Sequence, residues 1–242
     1  MNTIKVDKQG SKVKMIAHRG LSGLERENTC AAFVAAGNRE TYFGIETDVH
    51  CTADGQFVII HDDNTLRVSG EDRVVEKSTM ETLRTVRLTD IDGKERRWDL
   101  MLPTLREYIG ICKRYEKVAV LELKNPMAEQ DVCRIMESIR AMAYLEQVIV
   151  ISFDLNNLIY LRKHYPEQKA QYLLSRWDDA YLDILKQYSL GLDIYYPAIT
   201  REVVEMVHNA GLEVNCWTVD SPEEAARVIA CGVDYITSNI LE

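Results

Sequence analysis

Short apolar runs alternate with amphipathic stretches along almost the whole chain. Runs rich in Val, Ile and Leu at 13–17, 43–50, 117–123, 148–152, 170–174, 192–195, 213–218 and 233–237 predict strands. Helical spacing fills the intervals at 28–38, 127–144, 155–165, 178–188, 201–209 and 222–230. Another helix is expected to start at Pro103 or Thr104 and run toward Tyr115, with proline suited to its first turn. Gly110, Gly191, Gly211 and Gly232 are expected where helices stop. One further apolar run, 56–60, is separated from the second strand only by Thr52-Ala53-Asp54-Gly55. A loop that short joins antiparallel strands, so 56–60 is expected to return alongside 43–50.

Without that return arm, eight strands with helices between them predict an α/β fold, a (β/α)8 TIM barrel. A doubly wound open sheet is the weaker alternative, because it needs a chain reversal and usually fewer units. Residues 62–102 interrupt the alternation and are rich in Asp, Arg, Thr and Gly. They read as a modest loop insertion over one face, with a short capped helix near Ser78-Thr79-Met80-Glu81. The 242 residues are expected to form a single domain, 1–242.

Charge and cysteine usage narrow the setting. A formal charge of −9 argues against nucleic acid as a partner, and an anionic substrate would need locally placed cations. The six cysteines are widely spaced, without a CxxC pair, and most have apolar neighbours. The polar N-terminus and the lack of any membrane-length run predict no membrane insertion. A reduced, cytoplasmic protein is expected, with homo-oligomer formation left open.

The candidate chemistry gathers at strand ends, where barrels of this class carry their active sites. Glu46 and Asp48 stand two apart on the second strand, and Glu122 and Lys124 two apart on the third, so each pair shares a face. His18 and Arg19 follow the first strand. If Cys51 pairs with Gln56, counting back sets His61 opposite Glu46. Three carboxylates facing one centre would repel, and a divalent cation relieves that repulsion. Oxygen-only ligands suit Mg2+ or Ca2+. The plainer alternatives are a Glu46 and Asp48 exposed at a strand end or paired with lysines, and a simple Glu122–Lys124 ion pair. With two imidazoles at one rim, one can accept a proton while the other donates, which with a metal suffices for phosphodiester cleavage. Arg19 and Lys124 would supply charge to the phosphate, Arg with the better fork geometry. His50 is expected to point like Asp48, toward the site, whereas His164 and His208 read as surface residues on helices. No P-loop, GxGxxG or GxSxG lies near a suitable strand.

The motifs His18-Arg19-Gly20, Glu27-Asn28-Thr29, Glu46-x-Asp48-Val49, Thr52-x-Asp54-Gly55, His61-Asp62, Pro103-Thr104-Leu105, Glu122-x-Lys124, Ser152-Phe153, Trp217-Thr218-Val219 and Gly232-Val233-Asp234-x-Ile236-Thr237 occur in this order. As an ordered set over nearly the whole chain, they resemble the glycerophosphodiester phosphodiesterase family. The resemblance implies a (β/α)8 barrel that hydrolyses glycerophosphodiesters to sn-glycerol 3-phosphate and an alcohol. It implies Glu46, Asp48 and Glu122 as metal ligands, His18 and His61 as the acid–base pair, and Arg19 and Lys124 as phosphate contacts. Attack by the substrate's own glycerol hydroxyl, through a cyclic phosphate, stands beside direct attack by water.

Trp217 is a candidate wall for glycerol or head group, or a core residue, and Phe153 invites the same question. Glu27 is read as a contact to substrate hydroxyls or as a loop anchor, and Asn28 as a helix cap or a metal-side contact. The chain departs from the family pattern at Arg26, where proline is usual, and at Ser238-Asn239-Ile240. Arg26 is expected either to alter the loop or to add to the anion site. A phospholipase D-like lyase acting on lysophospholipid or sphingophospholipid, and a non-catalytic binding barrel, are the competing functional classes.

Overall fold

The computed structural model describes residues 2–8, 10–93 and 97–242. Among these, the strands form one nine-stranded sheet. Its members are β1 (Lys14–Ala17), β2 (Tyr42–Cys51), β3 (Phe57–Ile59), β4 (Val118–Leu123), β5 (Val148–Ser152), β6 (Ala170–Leu174), β7 (Gly191–Tyr195), β8 (Val214–Trp217) and β9 (Tyr235–Ser238). Strand β1 pairs in parallel with both β2 and β9, so the parallel strands close into a barrel. Closure excludes the open doubly wound sheet. Only β3 runs antiparallel, along β2.

The larger intervening helices are α1 (Cys30–Gly37), α4 (Leu105–Arg114), α5 (Glu129–Ala141), α6 (Leu155–His164), α7 (Ala180–Tyr188), α8 (Arg201–Asn209) and α9 (Pro222–Cys231). At α1, α4, α6, α8 and α9 a short polar side chain satisfies an exposed backbone donor at the start. Thr104 and Glu107 form a reciprocal capping box on α4. Asp154 caps α6, and Ser221 precedes Pro222 at the start of α9. Gly211 and Gly232, both at positive φ, end α8 and α9 as expected. Gly110 instead lies within α4, and Gly191 opens β7. The capping box and the apolar stripe of Leu105, Tyr108, Ile109 and Cys112 carry the helix through Gly110. Among the described residues, no helix is long and apolar enough to cross a membrane.

The main core lies between the outer face of the sheet and the helices. There the Phe33 and Tyr108 rings meet edge-on at 5.0 Å, and the Tyr108 hydroxyl donates to the Ile45 carbonyl at 2.7 Å. A smaller cluster of Ile16, Val120, Ile149, Ile151, Leu173 and Tyr235 is separate from it.

Segment 62–102 is more than a surface ornament. It contains α2 (Leu66–Ser69) and α3 (Met80–Thr85), and buries Val68, Val75, Leu83, Val86, Leu88, Leu100 and Leu102 against Val58 and Ile60. The return arm thus belongs to a second, local core.

The register of that arm differs from expectation by one residue. Cys51 pairs with Phe57, Val49 with Ile59, and the Thr52 N–H donates to the Gln56 carbonyl at 2.8 Å. His61 therefore counts back to Thr47 rather than Glu46. The cause is a three-residue loop closed by Gly55 in the left-handed region, φ 70°.

Gly20 fixes the turn that follows β1. Its φ is 76°, and a Cβ there would lie 2.7 Å from the Ala32 backbone carbon in α1. Gly20→Ala is expected to destabilise the fold by about 2–4 kcal/mol through combined strain and overpacking. Urea titration of both proteins checks this, and an unchanged midpoint would contradict it.

Candidate active site

The ends of β1, β2 and β4 bring together residues far apart in sequence. The ligand oxygens of Glu46, Asp48 and Glu122 all lie within 4.8 Å of one another, and all three residues are buried. Register explains this, since Asp48 pairs with Glu122 across neighbouring parallel strands and Glu46 precedes it by two positions. The exposed-pair reading of Glu46 and Asp48 is thereby excluded.

Two cations and several dipoles surround the trio. Lys124 Nζ lies 2.9 Å from Glu122 Oε1 and 3.6 Å from Asp48 Oδ1. Arg19 Nε lies 3.7 Å from Asp48 Oδ2, and the Arg19 backbone N–H donates to Glu46 Oε2 at 2.8 Å. That backbone donor is aimed by a left-handed Arg19, φ 55°. Asn28, also left-handed, donates from Nδ2 to Asp48 Oδ2 at 2.7 Å and accepts from Thr47 Oγ1 at 2.6 Å. Thr29, not Asn28, caps α1.

These contacts leave the carboxylates electrostatically unbalanced. Burial, then Asp48 and Glu122, push Glu46 well above the usual carboxylate range. Burial and Asp48 raise Glu122 to about 7, against the pull of Lys124. Burial also acts to raise Asp48, but Arg19, Lys124 and His61 outweigh it and hold Asp48 below its ordinary value. Asp48 Oδ1 is buried without a hydrogen-bond partner among the described residues. A dense, oxygen-only cluster with an open acceptor fits a divalent cation of the Mg2+ or Ca2+ kind.

The two histidines share one cavity of about 60 Å³ with Arg19, Glu46 and Glu122. His18 Nδ1 lies 2.7 Å from Asn239 Oδ1. The Asn239 amide orientation follows from its Nδ2, which donates to Asp220 Oδ2 at 2.5 Å. His18 Nδ1 therefore carries the proton in the neutral ring, leaving Nε2 as the free base, 4.0 Å from Glu46 Oε2. His61 is arranged likewise, with Nδ1 2.7 Å from Asp62 Oδ1. Burial and Arg19 push His18 down to about 4. Burial lowers His61 as well, against the charge of Asp48.

The other expected residues divide into lining and supporting groups. Trp217 lines the cavity with Phe153, Ile151 and Leu173, and its ring meets Phe153 edge-on at 5.6 Å. Glu27 stands beside the cavity rather than in its lining. Its two oxygens take Arg19 Nη1 at 2.8 Å and both terminal nitrogens of Arg67 at 2.7 and 2.8 Å. Arg26 does not add to the anion site; it donates to the Thr89 carbonyl and Oγ1 and to the Asp90 carbonyl in the 62–102 segment. His50 is fully buried, with Nδ1 3.1 Å from Glu76 Oε1 and Nε2 3.4 Å from the His61 carbonyl. It thus sits behind the loop that carries His61. His164 and His208 are exposed and pair with Glu129 and Asp234.

Sequence reasoning overlooked Asp220 and Asn239, which orient His18, and Arg67, which donates to both oxygens of Asp62 as well as to Glu27. The signal for Asn239 was its polar character next to a strand end; Arg67 carried none for its bond to Glu27, which lies far from it in sequence.

Comparison with known proteins agrees with this geometry. The model of the glycerophosphoryl diester phosphodiesterase family matches residues 18–241. A glycerophosphodiester phosphodiesterase of Caldanaerobacter subterraneus is 30% identical over 238 residues, covering 94% of each chain. An Oleispira antarctica phosphodiesterase, solved with its product sn-glycerol-3-phosphate, is 26% identical with a TM-score of 0.83, covering 94% of this chain and 93% of that one. A glycerophosphodiester phosphodiesterase of Parabacteroides distasonis is 25% identical with a TM-score of 0.77, covering 95% and 93%.

Arg67 makes acid stability a readout of this network. Its hydrogen bonds come first in holding Asp62 at about 2. For Glu27, burial acts upward, but Arg67 and Arg19 overcome it and hold the group at about 2. Both carboxyls are depressed in the folded state. Their contribution is present above about pH 4.5 and lost as pH falls toward 2. Arg67→Met is therefore expected to flatten the fall of Tm between pH 5 and 2.5, with the two curves converging at the acid end. Parallel curves would contradict the linkage.

Proposed function

Because the chain belongs to the glycerophosphoryl diester phosphodiesterase family, we propose that it hydrolyses small glycerophosphodiesters to sn-glycerol 3-phosphate and an alcohol, with a bound divalent cation. The observation that carries this reading is a cavity lined by His18, His61, Arg19, Glu46 and Glu122, with Asp48 and Lys124 packed against those carboxylates and Arg19. Glu46, Asp48 and Glu122 would hold the cation, Mg2+ or Ca2+. When bound, it supplies Lewis-acid polarisation of the phosphoryl oxygens.

The side chains account for the remaining chemistry. Arg19 and Lys124 neutralise the phosphodiester and orient it. His18, whose Nδ1 partner is a neutral amide, is suited to take the proton from the attacking hydroxyl at Nε2. His61, whose Nδ1 partner is a carboxylate, is suited to carry a proton and deliver it to the leaving alkoxide. On the cyclic-phosphate route, which stands beside direct attack by water, the glycerol 2-hydroxyl oxygen bonds to phosphorus and the bond from phosphorus to the head-group oxygen breaks. Water then opens the cyclic phosphate with the two histidines exchanging roles. Holding the hydroxyl next to phosphorus removes much of the entropic cost of attack. Trp217 and Phe153 form an apolar wall of the cavity, while Glu27 anchors the Arg19 guanidinium. The whole chain, 1–242, is read as one such domain, and its six free thiols fit a reducing, cytoplasmic compartment.

Hydrolysis of glycerophosphocholine and glycerophosphoethanolamine, followed by release of sn-glycerol 3-phosphate, tests the reading. Activity is expected to disappear with EDTA and to return with Mg2+ or Ca2+. Full turnover after complete metal removal would defeat the metal assignment, and cyclic phosphate as sole product would replace hydrolysis by a lyase reaction. His61→Ala is expected to lower kcat by about 10²- to 10⁴-fold with the fold intact. Wild-type turnover in that variant would remove His61 from the mechanism.

A further inference from the structure

The floor of the cavity carries a polar group that the chemistry above does not use. Asp193 lies on β7, is 2% exposed and lines the same cavity as His18, His61 and Glu122. Its Oδ1 is buried without a hydrogen-bond partner among the described residues. Buried carboxyl oxygens are rarely left this way unless a ligand or ordered water completes them. The adjacent Asn215 has further partners. Asn215 donates from Nδ2 to Gln171 Oε1 at 3.3 Å and accepts at Oδ1 from Thr237 Oγ1 at 3.2 Å. Trp217, one step further along the barrel mouth, likewise has a buried Nε1 without a partner. Ile151, Phe153 and Leu173 make the rest of that wall apolar. A pocket with an anion-binding side, an apolar wall and two isolated hydrogen-bonding atoms suits a small polyol phosphate.

We propose that Asp193 reads the hydroxyls of the glycerol moiety through its free carboxyl oxygen and so selects glycerol phosphate esters over phosphates without a diol. The proposal rests on the phosphodiesterase reading and adds the residue that recognises the glycerol portion. Burial pushes the Asp193 carboxyl above its ordinary range, and Asn215 beside it acts the other way. A neutral carboxyl both donates and accepts, as a hydroxyl partner must. A carboxyl held neutral also avoids repelling the phosphate group.

Calorimetric titration of sn-glycerol 3-phosphate and of n-propyl phosphate, with Mg2+ present, separates recognition of the diol from recognition of phosphate. Wild-type protein is expected to bind the glycerol ester about 10- to 100-fold more tightly, the range for one or two buried hydrogen bonds. Asp193→Val and Asp193→Ala are expected to reduce that ratio to below about threefold by weakening the glycerol ester alone. Asp193→Asn, which keeps an acceptor and a donor, is expected to retain most of it. Two non-bonding variants guard against one failing to fold, which thermal unfolding reports. Equal binding of both ligands by wild-type protein, or an unchanged ratio in Asp193→Val and Asp193→Ala, would overturn the proposal. Loss of affinity for both ligands alike would assign Asp193 a structural role instead. Failure of wild-type protein to bind either ligand would overturn the phosphodiesterase reading itself, and the proposal with it.

Discussion

Mutual repulsion among three buried carboxylates is the constraint around which this molecule is organised. Glu46, Asp48 and Glu122 occupy a volume in which three negative charges cannot coexist without compensation. The chain supplies part of that compensation itself, through Lys124, the Arg19 guanidinium, the Arg19 backbone donor and the Asn28 amide. Even so, Glu46 and Glu122 remain raised and Asp48 keeps an open oxygen. Clusters of this kind survive in native structures when function requires them, because apolar packing at the same positions would be more stable. The residual negative charge is what a divalent cation would meet.

Around this centre the barrel and its insertion divide the work. Parallel strands provide fixed positions, and hydrogen-bonded register sets Asp48 directly beside Glu122. The 62–102 segment, anchored by its own small core, reaches back over the mouth through Arg67 and Glu76. Arg67 joins Glu27, which holds Arg19, to Asp62, which orients His61. Phosphate-facing charge and proton-transfer group are therefore coupled through one guanidinium. His18 is oriented from the opposite side, by Asn239 and Asp220 near the end of the chain.

Much of this was legible in the sequence because barrel strands impose a period of two. The spacing of Glu46 with Asp48 predicted a shared face, and eight strand candidates predicted the closed architecture found here. Periodicity says little about turns, and the return arm was set one residue out of register because Gly55 closes a tighter loop than the four-residue motif suggested. Gly110 was mistaken for a helix stop because a local breaker signal was weighed without the capping box before it. Arg67 reaches Glu27 and Arg26 reaches Thr89 across long sequence separations, where no local pattern registers. Asp193 was passed over because an acid within an apolar run resembles any strand-end residue until the strands are closed around it.

The most direct test of the account is diffraction from crystals soaked in Mn2+, with anomalous maps computed for wild-type protein and for Glu122→Gln. A single strong peak between Glu46, Asp48 and Glu122 is expected in the wild type, and a weak or absent one in the variant. A wild-type map without density at that position, or density of equal strength in the variant, would contradict the claim that carboxylate repulsion is resolved there by a cation.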